Sequence, residues 1–292
     1  MNTRRFSTLL PYLMIVPAFA FLMIFTFYPL VNLITLSFFK YNIVNPKKTF
    51  VGWQNFLNLF STDDFLVALR NTSVYTASVV ILLIISSVLF ALWFQKDTWV
   101  NHFGQKAFFT PHLIAMISCG MIWAWIMDTD SGVLNAVLNL FHLPSLRWLN
   151  SSKTALLSII IVSIWKSTGY YLLIVLASLK SIPQEIFEAA ELDNTPRLRK
   201  FFRITLPLLS PQLFFMLITI TINSFKVFDT VRVMTDGGPG NSTDVVIYYL
   251  YRYAFRFFRV GIASAAGVIL MAILVILTII YFRFLGKRVH YQ

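Results

Sequence analysis

Long apolar runs alternate with short polar segments along the chain, and six runs reach the ~20 helical residues needed to cross a hydrocarbon core. They cover 10–39, 71–94, 107–127, 154–179, 205–225 and 260–282. None shows the dyad in-out alternation of a membrane strand. In lipid every backbone N–H and C=O must be satisfied within its own segment, so helices are required. The expected class is all-α and polytopic, a single transmembrane domain over 1–292. The first run follows Arg4 and Arg5 and contains Ala18-Phe19-Ala20, which resembles a signal-peptide cleavage site. Because the run continues unbroken through Phe39, it is read as a retained anchor.

Composition supports lipid as the solvent. Hydrophobic residues make up 58% and charged residues 12% of the 292, against roughly a quarter charged in soluble domains. With the N-terminus inside, the inner segments carry 12 basic residues over 56 positions and the outer ones 11 over 91. Basic density sets orientation, so both termini are expected in the cytoplasm. The net charge of +12 is spread over both sides, and no nucleic-acid footprint is expected. The lone Cys119 excludes an internal disulfide framework. His102, His112, His142 and His290 lie too far apart to form a local metal motif.

Absences narrow the function. No Asp or Glu lies in a predicted span, which argues against a proton relay at membrane depth. No G-x-x-x-x-G-K-[ST] sequence is present, the nearest fragment being Gly286-Lys287-Arg288. If the chain drives transport, its energy arrives from another polypeptide. Only the inner segment 180–204 is long enough to receive it. Ser181-Ile182-Pro183-Gln184 reads as a helix start with Ser181 as N-cap and Gln184 at the capping-box position. Glu185, Glu188 and Glu191 follow at i, i+3 and i+6, leaving Ala189 and Ala190 on a slim, approachable face. Asp193-Asn194 closes the helix, since asparagine tolerates the left-handed conformation, and Thr195-Pro196 opens a second, basic arm. A helix–turn–helix elbow is predicted. The competing reading is an amphipathic connector lying on lipid headgroups.

Glu188-Ala189-Ala190, three residues, position 194, nine residues and then Ile204-x-Leu206-Pro207 resemble the EAA loop of permease subunits of bacterial ATP-binding-cassette importers. The likeness is greatest to the carbohydrate branch, the maltose and glycerol-phosphate permeases. Gly132-Val133-Leu134-Asn135, Ile164-Trp165-Lys166, Phe228-Asp229 and Thr235-x-Gly237-Gly238-Pro239 extend it over most of the chain. Asn194 stands where the family has glycine, a mild change at a left-handed turn. The resemblance implies the six-helix fold of type I importer permeases (the MetI-like fold), a place in the bacterial cytoplasmic membrane, and no catalysis by this chain. It implies a cytoplasmic coupling loop at 181–207 that contacts an ATP-binding subunit through Glu188, Ala189, Ala190, Asp193, Asn194, Leu206 and Pro207. It also implies a second homologous permease subunit, two ATP-binding cassette subunits carrying ATP and Mg, and an extracytoplasmic solute-binding protein, with no cofactor on this chain. The alternatives are a membrane enzyme of lipid or cell-wall metabolism, for which no grouped acids or His–acid pair is visible, and a passive channel.

Candidate solute contacts lie in spans four and five. Ser163, Lys166, Ser167 and Tyr170 share one helix face, which should avoid lipid. Lys166 lies about 18 Å from either end of its span at ~1.5 Å rise per residue, too deep to snorkel. It needs a wet cavity or a partner such as main-chain carbonyls. Thr219 and Asn223 follow at i, i+4 in span five, and Trp165, Tyr170, Tyr171 and Phe225 could offer faces to a sugar ring. Ala263-x-x-x-Gly267 suits close helix packing in span six.

Overall fold

The computed structural model describes residues 3–44 and 47–286. Helix α1 (Thr3–Leu22) passes through a widened turn at Met23–Phe27 into α2 (Tyr28–Ser37). A small antiparallel ribbon follows, β1 (Phe39–Lys40) against β2 (Thr49–Phe50), with Phe39 opposite Phe50. Then come α3 (Gln54–Ser61), α4 (Asp63–Trp93), α5 (Trp99–Leu113), α6 (Met116–Ile126), α7 (Val133–Leu140) and α8 (Ala155–Lys180). The elbow region holds α9 (Gln184–Leu192), α10 (Arg197–Lys200) and α11 (Leu206–Leu208). The chain continues through α12 (Ser210–Phe225), α13 (Asp229–Met234), α14 (Val246–Tyr251) and α15 (Val260–Ile280).

Four helices are long and apolar enough to span a membrane, at Leu13–Ser37, Asp63–Trp93, Ala155–Lys180 and Val260–Phe284. The other two expected spans are not continuous rods. The run at 107–127 is divided between α5 and α6, whose axes differ by 102°, and the run at 205–225 is bent by 66° between Arg197–Leu208 and Ser210–Phe225. Counting each bent pair as one span gives six among the described residues. Proline explains both departures. Pro111 inside α5 has no N–H for the helical ladder and its ring crowds the carbonyl one turn back, and three residues later Ile114 (ψ 137°) and then Ala115 (ψ 139°) are extended. Pro207 and Pro211 flank the second bend at Leu209. Hydropathy measures how apolar a run is and carries no information on direction, so both breaks lay hidden inside the runs.

Two compact units are present. The first comprises Met1–Asp63 and Leu250–Ala272. There the small-residue face of α15 admits close neighbours: a Cβ on Gly267 would lie 3.2 Å from Leu250 and 3.4 Å from Leu33, and one on Gly261 would lie 2.1 Å from the Phe39 carbonyl oxygen. The 18-residue apolar window of Leu13–Ser37 is 0% buried, so lipid or another subunit must cover it.

The second unit comprises Asp64–Tyr249 and Ile273–Gln292 and is organised around α8. Ile159, Val162, Leu172 and Val175 of α8 are fully buried. Cys119 and Met127 join Val162 and Met234 in one core cluster. Helix α5 lies directly on α8 at Gly169, where a Cβ would come within 1.9 Å of the Phe108 carbonyl oxygen. Gly169→Ala is therefore expected to cost about 2 kcal/mol through overpacking against main chain. Gly286→Ala, whose added methyl meets nothing nearer than Phe214 at 3.8 Å, should stay within about 0.5 kcal/mol of wild type. Thermal unfolding of the purified protein in detergent checks both, and equal melting temperatures would contradict the close approach.

Candidate functional site

Where α5 stops, its last carbonyls lose their helical partners, and an apolar solvent supplies none in exchange. Lys166 fills that role. Its ammonium donates to the carbonyls of Pro111 (3.2 Å), His112 (3.1 Å) and Ile114 (2.5 Å), and the residue is 9% exposed. All three donors of the ammonium are directed at the negative end of a helix, where a cation is favoured. The lysine does not line the neighbouring cavity.

That cavity has a volume of about 470 Å³ and draws its walls from α4, α5, α6, α8, α12 and α13. Of the residues singled out in spans four and five, Ser163, Ser167, Tyr170, Tyr171 and Asn223 line it, whereas the rings of Trp165 and Phe225 do not. Thr219 does not. Its hydroxyl turns back to the Phe215 carbonyl at 2.9 Å. Tyr170 stacks on the His112 ring at 4.6 Å with planes 13° apart, and the Tyr75 hydroxyl donates to Ser163 Oγ at 2.8 Å. Tyr75, His112, Lys226 and Asp229 also line the cavity and were not among the predicted solute contacts. They come from segments far apart in sequence, and only the tertiary fold assembles them. The one local signal was Asp229, an acid placed just beyond an apolar run.

The segment between α8 and α12 forms the expected elbow, with different caps. Ser181 ends α8, its hydroxyl bonding the Ser178 carbonyl at 2.8 Å, while Pro183 (φ −54°, ψ 133°) holds the N-cap position of α9. Gln184 bonds forward to Glu188 at 2.8 Å instead of closing a capping box. Likewise Pro196, not Thr195, is the N-cap of α10. A proline's fixed φ suits the extended conformation of a cap, and its missing N–H costs nothing at a helix start. The turn itself is as expected: Asn194 has φ +50°, with Asn194 N–H donating to Glu191 O (3.0 Å) and Thr195 N–H to Ala190 O (3.0 Å). This pair of bonds defines a Schellman closure. Across it, Lys200 Nζ donates to Glu191 Oε1 at 2.9 Å and holds that carboxyl below the usual carboxylate range. Because the folded value is depressed, the tie is present above the ordinary glutamate value and is lost as pH falls through the folded one.

Glu188, Ala189, Asp193 and Asn194 are exposed, whereas Ala190 is 5% exposed and packs within this chain. The expectation of one approachable Ala189–Ala190 face therefore holds for Ala189 alone. Leu192 and Leu198 stand out at 85% and 74% exposed. Leu206 and Pro207 are half-buried where the elbow enters α12.

The family described as "Binding-protein-dependent transport system inner membrane component" matches residues 4–291. The chain belongs to this family. The permease is 32% identical over 283 residues to the probable ABC transporter permease protein YurN of Bacillus subtilis, covering 95% of this chain and 96% of that protein. It is 31% identical over 288 residues to the sn-glycerol-3-phosphate transport system permease protein UgpA of Rhizobium meliloti, covering 98% and 97%. A solved bacterial ABC transporter involved in the import of the acidic polysaccharide alginate contains a chain that superposes with a TM-score of 0.87, at 22% identity and 97% and 98% coverage. The permease is thus a transport component of the inner membrane with the type I importer fold, and it is not an enzyme.

Lys166→Leu would strand the His112 and Ile114 carbonyls in the break of the permease and leave Pro111 O with only the 3.3 Å bond from Ile114 N–H. It is expected to destabilise the fold by about 3 kcal/mol, the scale of a charge-assisted hydrogen bond lost with its acceptors buried. Lys153→Leu, at an exposed position, should change stability by less than about 0.5 kcal/mol. Detergent thermal melts and membrane expression levels check the difference.

Proposed function

We propose that the chain forms half of the pathway of an ATP-driven carbohydrate importer and takes its energy from an ATP-binding subunit seated on the elbow at 185–204. The observation that carries this reading is the elbow itself. A closed, charge-tied turn presents Glu188, Ala189 and Leu192 outward, on a chain with no phosphate-binding loop of its own. Leu192 and Leu198 are 85% and 74% exposed. In this reading the elbow faces the cytoplasm, both termini lie on that side, and ATP and Mg reside on the partner subunits. Closure of two ATP-binding subunits pushes α9. Because α10, α11 and the bent entry to α12 follow directly, the push tilts the walls of the cavity.

The cavity chemistry supports a polyhydroxylated solute. Ser163, Ser167 and Asn223 line the cavity together with Tyr170 and Tyr171, polar and aromatic residues of the kinds that a sugar ring needs. Relatives named for sn-glycerol-3-phosphate and sulfoquinovosyl glycerol agree with that class. A second, homologous permease subunit completes the pathway, and an extracytoplasmic binding protein delivers solute to it.

Ala189→Trp should overfill the contact with the ATP-binding subunit and uncouple hydrolysis from uptake, lowering solute-stimulated ATPase activity at least tenfold while protein level stays normal. Asn194→Pro should do the same, since proline cannot adopt the positive φ of the turn, and Asn194→Gly should be silent. Were the segment a headgroup connector, tryptophan would be welcome at the interface and Arg199→Gln would be the damaging change. Solute-stimulated ATPase of the reconstituted complex decides, and normal coupling in Ala189→Trp counts against the docking elbow.

A further inference from the structure

A second cavity, of about 620 Å³, lies in the first unit between the segment after α2, α3 and the start of α15. Its walls include Lys40, Tyr41, Asn42, Asn58 and Arg259. The floor is built. Asn42 pairs with Arg259 in an antiparallel bridge, Gly261 N–H donates to Tyr41 O at 3.3 Å, and buried Asn55 donates to Ser37 O (2.7 Å) and Phe39 O (3.0 Å).

The cavity has a surplus of hydrogen-bond donors. Asn42 Oδ1 accepts from Val44 N–H (2.8 Å) and Asn58 Oδ1 from Gln54 Nε2 (3.0 Å), so each carbonyl oxygen already accepts one bond. Their NH2 groups bond no acceptor among the described residues, and neither Lys40 nor Arg259 has an acidic partner there. No Asp or Glu occurs in 38–62 or 250–272, whereas Lys40, Lys47, Lys48, Arg252, Arg256 and Arg259 do. Two cations and two amide NH2 groups converging without an anion specify an oxyanion ligand. The height of the cavity identifies its source. Lys40 follows the span Leu13–Ser37 by three residues and Arg259 immediately precedes the span Val260–Phe284, so both sit at the level of the lipid phosphates. Trp53 (67% exposed) and Phe50 (70% exposed) stand on the same segment, as aromatic residues do at a membrane interface.

We propose that this cavity binds the phosphodiester headgroup of an anionic phospholipid. The site is separate from the solute cavity and does not depend on which leaflet it faces. Its test is native mass spectrometry of the full chain, alone or in its assembled complex, delipidated in mild detergent and then offered phosphatidylglycerol or phosphatidylcholine. Wild type should retain phosphatidylglycerol several-fold over phosphatidylcholine. Lys40→Gln, at an exposed side chain that the fold does not need, should weaken retention roughly fivefold, and Lys40→Gln with Arg259→Gln roughly twenty-five-fold, the effect of one and two interfacial cations. The charge-keeping pair Lys40→Arg with Arg259→Lys should retain the lipid. Equal retention by wild type and Lys40→Gln, or of the two lipids by wild type, overturns the proposal. Displacement of phosphatidylglycerol by millimolar inorganic phosphate would assign the site to a free anion instead. Binding of an acidic solute-binding protein to the lipid-free wild type, lost in the double variant, would assign it to a protein. Either result also overturns the lipid.

Discussion

A helix that ends inside an apolar environment exposes carbonyls that water would otherwise satisfy, and each such group costs several kcal/mol when left alone. The break between α5 and α6 creates this problem at His112 and Ile114, and the Lys166 ammonium resolves it while also bonding Pro111 O, which already accepts from Ile114 N–H. Much of the second unit follows from that clamp. It fixes α5 against α8 closely enough that only glycine fits at 169, and it leaves the His112 ring lying flat on Tyr170 one turn further along α8. The bend of 102° directs α6 away from α5, so that Gly120 meets Val233 at a would-be Cβ distance of 3.4 Å. The lysine is in turn tolerated at depth because the carbonyls desolvate it on favourable terms. Neither partner would be stable there without the other.

The elbow follows a different physical regime. Its bonds are exposed and local: a left-handed asparagine, two turn hydrogen bonds and one Lys200–Glu191 pair. Such features hold shape and contribute little stability, which in the proposed function suits a part that a partner subunit moves. The contrast with the buried lysine is one of energy: the α5–α8 contact is buried and clamped, whereas the elbow is held by exposed, local bonds.

The places where sequence and structure part company have distinct causes. Apolar run length located the four long helices, and the other two runs fall on the two bent pairs, because the need for self-satisfied backbone in lipid is written into composition. It did not reveal the two breaks, since Pro111 and Pro207 are tolerated in membrane helices when other groups take up the freed carbonyls, and those groups lie elsewhere in the chain. Lys166 was legible as a residue needing a wet cavity or main-chain carbonyls, but which carbonyls it meets depends on the break after α5, which the run did not reveal. Asn194 was fully legible because few residues accept its φ. Ser181 misled, since a serine at the end of one helix looks the same as one at the start of the next, and only the extended ψ of Pro183 distinguishes them. Tyr75, His112 and Asp229 were invisible for a simpler reason: nothing local marks a residue that a distant segment will meet.

On α8 the structural and cavity-lining residues are neighbours with different orientations. Lys166 is directed at the α5 carbonyls, while Ser163, Ser167 and Tyr170, from three residues before it to four after, border the cavity. Substitutions at the second set alter the wall without removing the bonds that hold the break. In the proposed function, a lineage could therefore drift from one solute to another by changing Ser167 while the clamp stays constant. Selection would then act on two nearly independent traits within two turns of a single helix, so preference for cargo can evolve faster than the architecture that carries it.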